Sequence, residues 1–252
     1  MIPTERQQLI LQEVNQKHIL SITELAKKLN VSHMTIRRDL QKLEEDGLLT
    51  QVSGGAKASQ KLTSEPAHYV KEILYSDEKR RIGEYAGNMI QQNSCIYLDA
   101  GTTSLALAQH LKNRSDLTIV TNDFAVVNLL IESSKCNLIH VGGSVRSQNY
   151  SSVGFLAAQT IKSLRFDYGF ISTSSFDING VTTPDTDKIP VKKAVLEVST
   201  KKILISDSSK YNCIATYMVF PLTDLDCIVT DTNLGEDVAL KIERLGVNIV
   251  RV

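Results

Sequence analysis

Apolar residues recur every three or four positions through the first fifty residues of the chain, which is the spacing of one face of an α-helix. This pattern predicts a first helix that is capped by Thr4 and runs through Val14. It also predicts a second helix that begins at the capping residue Ser21 and a third that begins at Ser32. The later stretch LLTQVSGGA alternates briefly and turns at two glycines, which predicts a two-stranded wing.

From residue 76 onward the pattern changes to short strands of β-branched residues that alternate with amphipathic helices. This alternation predicts βαβ units, and hence a mostly parallel sheet covered by helices on both faces. The fold class is therefore α/β, with a helical domain over residues 3–58, a linker over 59–75 and a sheet domain over 76–252. The seven predicted strands are CIYLDA, LTIVTN, CNLIHVGG, DYGFIST, KKILISD, DCIVTD and VNIVRV.

Charge and cysteine content limit the classes of protein that fit this chain. Its 252 residues include 28 Lys and Arg against 28 Asp and Glu, which argues against a broad basic surface for nucleic acid but not against a local one. The four cysteines are far apart, so we expect neither a disulfide framework nor a metal site, and no motif predicts a cofactor. Because the sequence contains neither a run of about 18 apolar residues nor a signal peptide, we expect a soluble cytoplasmic protein without a membrane partner.

The second and third predicted helices are joined by the short turn LNVS and form a helix-turn-helix pattern. Between residues 27 and 42, five basic side chains accompany a single acidic one, Asp39, which we interpret as an ion-pair partner of Arg37 and Arg38. The polar side of the third helix would enter the major groove of DNA, where arginine reads guanine edges. The alternative interpretation is the solvated face of an ordinary three-helix domain. The candidate DNA-binding residues are Ser32, His33, Thr35, Arg37, Arg38, Gln41 and Lys42.

Polar residues follow several predicted strands of the sheet domain at the point where each strand ends. The carboxyl ends of parallel strands meet at one edge of a sheet, where ligands bind. Within LDAGTTS, Gly101 permits a tight turn, and the threonines after it open a helix whose free N–H groups favour an anion such as phosphate. Lys210 and Arg146 would supply compensating charge. Each feature also has a plain alternative, as a helix cap, a turn or a surface ion pair. The candidate ligand-binding residues are Asp99, Gly101, Thr102, Thr103, Ser104, Thr121, Asn122, Gly142, Gly143, Arg146, Ser172, Thr173, Asp207 and Lys210.

Two sets of motifs resemble the DeoR family of bacterial transcriptional regulators. One is V-S-x-x-T-I-R-R-D-L with the G-G-A of the wing, and the other is the ordered series L-D-A-G-T-T, V-T-N, G-G-x-x-R and D-S-S-K-[FY]. The series also includes a lysine on a later helix, Lys192 or Lys193. The resemblance covers essentially the whole chain. It implies a winged helix-turn-helix joined to an effector domain that is similar in fold to sugar-phosphate isomerases. Gln51 and Ser53 replace the basic residue and the histidine that are usual in the wing, so we expect the wing to add less phosphate affinity.

The resemblance implies a DNA-binding regulator, more specifically a repressor of a carbohydrate catabolic operon that a phosphorylated sugar or sugar acid releases from operator DNA. Because helix-turn-helix proteins usually pair to read two half-sites, we expect a homo-oligomer, in which the linker transmits the effector signal. An activator that needs the effector for DNA binding is an open alternative. A sugar-phosphate-metabolising enzyme with a DNA-binding appendage is another, and it would need a carboxylate base, for which Asp99, Asp167 and Asp207 are candidates by position alone.

Overall fold

The structure, a computed structural model, describes residues 2–17, 19–58, 61–133 and 135–252, and the side chains of residues 12, 15 and 16 lie outside this description. The chain divides into two compact units, Met1–Ala67 and His68–Val252. This division falls within the length of the predicted linker, whose first two residues, 59 and 60, lie outside the described residues. The domain boundaries inferred from the sequence stay predictions.

Among its described residues, the first unit contains three helices and a three-stranded antiparallel sheet. The predicted helices and the wing, formed by the second and third strands, are confirmed. The predicted start of the first helix is wrong, because it begins at Pro3 and Thr4 lies inside it; proline fits the first helical turn, where no N–H partner is needed. The first strand, which the sequence did not predict, pairs with the third. The elements are α1 (Pro3–Lys17), β1 (Ile19–Ser21), α2 (Ile22–Leu29), α3 (His33–Glu45), β2 (Leu49–Val52), β3 (Gly55–Ala58) and the short β4 (Lys61–Leu62).

The apolar stripe of α3 packs into the core of the first unit. Ile36 and Leu40 are fully buried, and Leu43 is nearly so. Burying each of these side chains contributes about 1.5–3 kcal/mol, so the stripe decides which side of α3 faces solvent. Asp39 lies on the same buried side, which the sequence interpretation did not anticipate.

The second unit alternates strands and helices along the chain. Its helices are α4 (His68–Ile73), α5 (Ser76–Asn88), α6 (Thr102–Leu111), α7 (Phe124–Ser133), α8 (Phe155–Lys162), α9 (Lys188–Val198) and α10 (Glu236–Glu243). Its strands are β5 (Cys95–Leu98), β6 (Thr118–Thr121), β7 (Asn137–His140), β8 (Ser144–Arg146), β9 (Ser151–Val153), β10 (Phe166–Ser172), β11 (Phe176–Asp177), β12 (Gly180–Thr183), β13 (Ser199–Ile205), β14 (Ile214–Ala215), β15 (Tyr217–Phe220), β16 (Cys227–Thr230) and β17 (Asn248–Arg251). Short 3₁₀ turns lie at Ser147–Asn149, Ser208–Lys210 and Leu222–Asp224.

Within the described residues, seven strands of this unit form one parallel sheet in the order β17-β16-β13-β10-β5-β6-β7, which confirms the predicted fold class. From β5 the chain adds β6 and β7 on one side, and from β10 it adds β13, β16 and β17 on the other. The order therefore reverses between β5 and β10, where Leu98 and Phe170 are in register. Such a reversal leaves a crevice beyond the carboxyl ends of the two strands, and α/β proteins bind ligands there.

Helices cover both faces of the sheet. On one face, Ile82 of α5 and Leu107 of α6 pack in one apolar cluster with Leu98. On the other face, Val195 of α9 packs in a second cluster with Leu204. The second cluster also includes residues of β11, β12 and β15, a small antiparallel sheet whose strands of two to four residues are too short to show an alternating pattern. No helix in the described ranges is long and apolar enough to cross a membrane.

Candidate functional site

The exposed side of α3 carries the side chains that the sequence assigns to DNA. Ser32 caps the helix, because its hydroxyl accepts a hydrogen bond from the Thr35 backbone N–H at 3.1 Å and lies 2.9 Å from the Thr35 hydroxyl. The cap stabilises the N-terminal end of the helix, which is the part that contacts bases in helix-turn-helix proteins. The other predicted residues are exposed along the helix: His33, Arg37, Arg38, Gln41 and Lys42.

The two arginines differ from the other polar residues of this face. Neither Arg37 nor Arg38 makes an ion pair or a side-chain hydrogen bond within the part of the chain that the structure describes. By contrast, the Lys42 ammonium group pairs with Asp46 at 3.1 Å. Positive charge is therefore available to a ligand mainly at the arginines, in the middle of α3.

The predicted pairing of Asp39 with Arg37 and Arg38 is wrong. Asp39 is 3% exposed and pairs with Arg6 of α1, because its position three residues after Ile36 turns it toward the core. The wing is also tied to α3: the Gln51 backbone N–H and side-chain amide donate to the Glu44 carboxylate at 2.7 and 2.9 Å. The lower phosphate affinity expected of the wing stays a prediction.

A narrow cavity lies where the strand order of the sheet reverses. It holds about 10 Å³, roughly the space of a single water molecule. A sugar phosphate would therefore enter only if side chains of its wall moved apart. The wall is formed by Asp99, Ala100, Asn122, Ser151, Val153, Lys188, Val191 and Lys192.

Lys192 closes this cavity through a buried ion pair. Its ammonium group donates to the Asp99 carboxylate and to the Ser172 carbonyl oxygen. The Ser172 N–H donates to the same carboxylate at 3.2 Å. Gly101 has a φ of +157°, a backbone conformation that L side chains rarely adopt, and a Cβ atom there would lie 3.0 Å from the Ser172 Cβ, so this loop favours a glycine.

The loop after β6 completes this side of the site. The Thr121 hydroxyl donates to a β5 carbonyl at 2.7 Å, and the Asn122 side-chain oxygen accepts from the Tyr97 hydroxyl at 2.8 Å. Asp123, which the sequence did not single out, accepts from the Gly101 N–H at 2.8 Å. Burial raises the pKa of Asp123 to about 6. These bonds hold the L-D-A-G-T-T loop in place before any ligand binds.

A second polar group is formed by residues of α4, α5 and the start of α6. The Thr102 hydroxyl donates to the Lys71 carbonyl oxygen at 3.5 Å, and the Lys79 ammonium group donates to the same oxygen. Burial lowers the pKa of Lys79 to about 7. The buried Ser104 hydroxyl, one turn into α6, has no hydrogen-bond partner among the described residues. A helix N-terminus, hydroxyls and an ammonium group together have the chemistry of an anion site.

Asp207 and Lys210 belong to this second group and do not line the cavity. Burial alone would raise the pKa of Asp207, but Lys210, Lys79 and Ser209 together hold it below its ordinary value. The Lys210 ammonium group lies 5.9 Å from the ring centre of Tyr75. Most of the predicted ligand residues are thus divided between two groups, one around Lys192 and one around Lys79.

Four predicted ligand residues lie outside both groups. Gly142 is exposed, and Gly143 lies so close to β9 that an added Cβ would come within 2.7 Å of the Val153 carbonyl oxygen. The Thr173 hydroxyl is used in a local turn with Ser175. The fourth, Arg146, makes ion pairs with two carboxylates, those of Asp185 and Asp187.

These ion pairs give Arg146 a different place from the one the sequence suggests. Asp185 and Asp187 directly precede α9, which carries Lys188 and Lys192 into the cavity wall. Arg146 therefore joins the β8–β9 hairpin to the residues before α9, and the hairpin and α9 both contribute side chains to the cavity wall. Its predicted contact with a ligand anion stays a prediction, and such an anion would have to compete with two carboxylates.

Sequence reasoning missed several side chains at the sheet edge. Lys192 entered only through the family resemblance, and Asp123 directly follows V-T-N, so its position at a strand end could have indicated it. Ser151, Lys188 and Lys71 carried no local signal, because they reach the edge from a hairpin and from helices rather than from the ends of the parallel strands.

Comparison with known proteins identifies relatives of both units. Residues 6–61 match the DeoR-like helix-turn-helix domain, and residues 75–232 match the DeoR C terminal sensor domain. An uncharacterized HTH-type transcriptional regulator of Haemophilus influenzae is 47% identical over 100% of this chain and 98% of its own length. The glycerol-3-phosphate regulon repressor of Escherichia coli strain K12 is 32% identical over 92% of each chain. The crystal structure of ribose 5 phosphate isomerase A from Neisseria gonorrhoeae is 15% identical, covers 53% of this chain and 52% of its own, and has a TM-score of 0.38.

Proposed function

Because the chain belongs to the DeoR family of transcriptional regulators, we propose that it is a repressor that leaves its operator when a phosphorylated sugar or sugar acid binds at the sheet edge. One observation carries the proposal: the same chain has, on a helix-turn-helix, arginines that pair with none of the described residues, and it has a helix N-terminus beside hydroxyl and ammonium groups at the start of α6. The relative named the glycerol-3-phosphate regulon repressor supports the sign of regulation and a regulon for a phosphorylated compound. We further propose a homo-oligomer, because helix-turn-helix domains usually bind in pairs, one to each of two half-sites in the DNA.

On the DNA side, Arg37 and Arg38 make the main charged contacts in the major groove. Their guanidinium groups have no ion pair with any described residue to break before they bind DNA. Lys42 must give up Asp46 to reach a phosphate, so it contributes less. Ser32 and Thr35 act chiefly through the cap that stabilises the N-terminal end of α3.

On the effector side, the phosphate lies at the start of α6. The residue before this helix, Gly101, supplies no side-chain cap, so the first N–H groups of the helix are available to an anion. The Ser104 hydroxyl can donate to the same anion. Lys79 and Lys210 offset the charge of the phosphate. The side chains of the adjoining cavity, with Asp99 and Asn122 in its wall, then move apart and the cavity receives the polar end of the ligand.

We propose that the ligand is bound without turnover. An isomerase needs a carboxylate base within hydrogen-bond distance of the substrate and an acid placed for its oxygen. The Asp99 carboxylate is held by Lys192 and by the Ser172 N–H, and that of Asp207 is held by the neighbouring cations and Ser209. The use of ligand binding in this chain is to change its affinity for DNA.

The signal passes through α4, the first element of the second unit and hence its covalent connection to the DNA-binding unit. The Lys71 carbonyl of α4 accepts hydrogen bonds from both Thr102 and Lys79. A phosphate at the start of α6 competes for these two donors and so releases that carbonyl. The side chain of Lys71, which donates to Asn149 at 3.1 Å, connects α4 to the β8–β9 hairpin as well.

The test uses purified full-length protein and the DNA fragment that it selects from a random-sequence pool. A panel of sugar phosphates and phosphorylated sugar acids is added to the complex. We expect one class of these compounds to lower the affinity for the fragment by about 5–150-fold, which corresponds to an ordinary coupling energy of about 1–3 kcal/mol. Tighter binding in the presence of the compound would instead identify an activator.

Two controls separate the remaining alternatives. Product analysis of each incubation should find the compound unchanged, and measurable turnover would identify an enzyme. Sedimentation with and without the DNA fragment should find an oligomer, and a monomer under both conditions would contradict the paired arrangement.

A further inference from the structure

We propose that Asp39 is a positioning residue for DNA reading: through Arg6 and Gln7 of α1, it sets the rotation of α3 about its own axis. This inference rests on the proposed function of α3 as the DNA reader. It also assigns a role to the one acidic residue of the T-I-R-R-D-L motif, which the sequence alone predicts to be an ion-pair partner of the adjacent arginines. Asp39 itself does not touch DNA.

The contacts of Asp39 are short, buried and directional. One carboxylate oxygen lies 2.5 Å from Arg6 Nε, and the other accepts from Arg6 Nη2 at 3.2 Å and from Gln7 Nε2 at 3.1 Å. Asp39 is 3% exposed and Arg6 9% exposed. The hydrogen bond to Asp39 raises the pKa of Arg6, so the guanidinium group remains charged at neutral pH. A carboxylate and a guanidinium in this two-point arrangement fit in only one relative orientation.

The position of Asp39 within α3 explains why its orientation matters. It lies in the buried stripe beside Leu40, while Arg38 and Arg37 precede it by one and two residues. At 3.6 residues per turn, these arginines project about 100° and 200° away from Asp39. A bond that fixes the direction of Asp39 therefore fixes the directions of both arginines.

Apolar packing alone constrains the rotation of α3 about its axis more weakly than the ion pair does. The contacts of Ile36, Leu40 and Leu43 stabilise the helix against the core, but such contacts are not directional. A rotation of about 20° would move a group ~6 Å from the helix axis by ~2 Å. That displacement is enough to lose a hydrogen bond to a base edge, whose donor and acceptor must lie within about 3.2 Å. The ion pair thus controls discrimination between DNA sequences more than affinity for DNA in general.

The experiment compares the affinity for the selected DNA fragment with that for unrelated DNA of the same length, and takes the ratio as the discrimination. Asp39→Asn removes the charge, and the double variant Arg6→Met with Asp39→Leu replaces the pair by apolar side chains of similar volume. Buried ion pairs replaced in this way usually keep or gain stability. Asp39→Asn leaves the buried Arg6 charge without its partner and should lose stability, so the double variant decides the test. We expect it to have the circular dichroism of the wild type and a discrimination lower by about tenfold or more, with unrelated DNA bound as before.

The matched control is Glu13→Gln, which breaks the 2.6 Å ion pair between Glu13 of α1 and Lys28 of α2 and leaves Asp39 in place. Its discrimination should equal that of the wild type. If the folded double variant also discriminates as the wild type does, the Arg6–Asp39 pair serves stability only and the inference is overturned. If Arg38→Ala leaves discrimination intact, it is the proposed reading of DNA by α3 that fails, whatever the Asp39 variants do.

Discussion

Replacing Lys192 by methionine removes the ammonium group that Asp99 contacts where the strand order of the sheet reverses. The two side chains are 7% and 4% exposed, so bulk solvent cannot replace the lost partner. Breaking a buried ion pair from one side costs about 3–5 kcal/mol, because the remaining charge is left without compensation. The free energy of unfolding of an ordinary domain is about 5–15 kcal/mol, so this variant should lose a large share of the stability of its second unit.

Adding Asp99→Asn to Lys192→Met should restore most of the lost stability. Asparagine carries no charge, yet its side-chain oxygen can still accept the hydrogen bond from the Ser172 N–H. The Ser172 carbonyl lacks the lysine donor in both variants, so we expect the double variant to remain about 1–2 kcal/mol below the wild type. The difference between the two variants measures the cost of the unpaired charge.

Urea denaturation followed by tyrosine fluorescence measures this effect in the relevant unit. The chain contains no tryptophan, and all eight tyrosines lie between residues 69 and 217, within the second unit. The first unit therefore contributes nothing to the signal. A loss below about 1 kcal/mol for Lys192→Met, or a double variant no more stable than the single one, would refute the buried ion pair as the element that closes the cavity.

Three further predictions concern the DNA-binding helix α3, the effector site and the pH dependence of stability. Arg38→Ala should cost about 1–3 kcal/mol at the selected DNA fragment and relax specificity at one base pair; equal weakening on unrelated DNA would make Arg38 a phosphate contact. Lys210→Ala should abolish the response to the effector in the DNA-release assay while leaving DNA binding intact, and a normal response would make Lys210 structural. For Asp123, the pKa of about 6 in the folded state exceeds the value near ~3.9 of an unfolded chain. The stability that its proton contributes is full below about pH 4 and is lost as the pH rises through about 6, a change on the order of 3 kcal/mol. In urea denaturation, the free energy of unfolding of Asp123→Asn should therefore rise by that amount relative to the wild type between about pH 4 and 7. A difference that does not change with pH would contradict a buried Asp123 carboxyl with a raised pKa.

The periodic parts of the chain could be predicted from the sequence because their causes are local. The stripe of Ile36, Leu40 and Leu43 follows from the helical repeat, and the seven parallel strands follow from short β-branched runs between helices. The Ser32 cap could also be predicted, since cap and capped N–H are three residues apart. The family motifs placed candidate residues at the strand ends, but they did not say which of them meet.

Partnerships between distant residues could not be predicted, because many equivalent partners exist until the chain has folded. Asp39 has two arginines beside it, yet its partner is Arg6, 33 residues away. Arg146 looked like a free cation for a ligand, but Asp185 and Asp187 approach it from 39 and 41 residues further along the chain.

By itself, then, the sequence determined the family, the order of helices and strands, and the edge of the sheet at which polar loops collect, since each depends on short-range patterns or motifs. The tertiary structure decided how that edge is divided. Because β5 and β10 are neighbours, Asp99 and Ser172 meet Lys192 at one cavity. Because α4 and α5 cover the start of α6, the Lys71 carbonyl receives both Thr102 and Lys79. Strand order and helix packing are properties of the whole fold, and they assign each charge the partner that limits what it can bind.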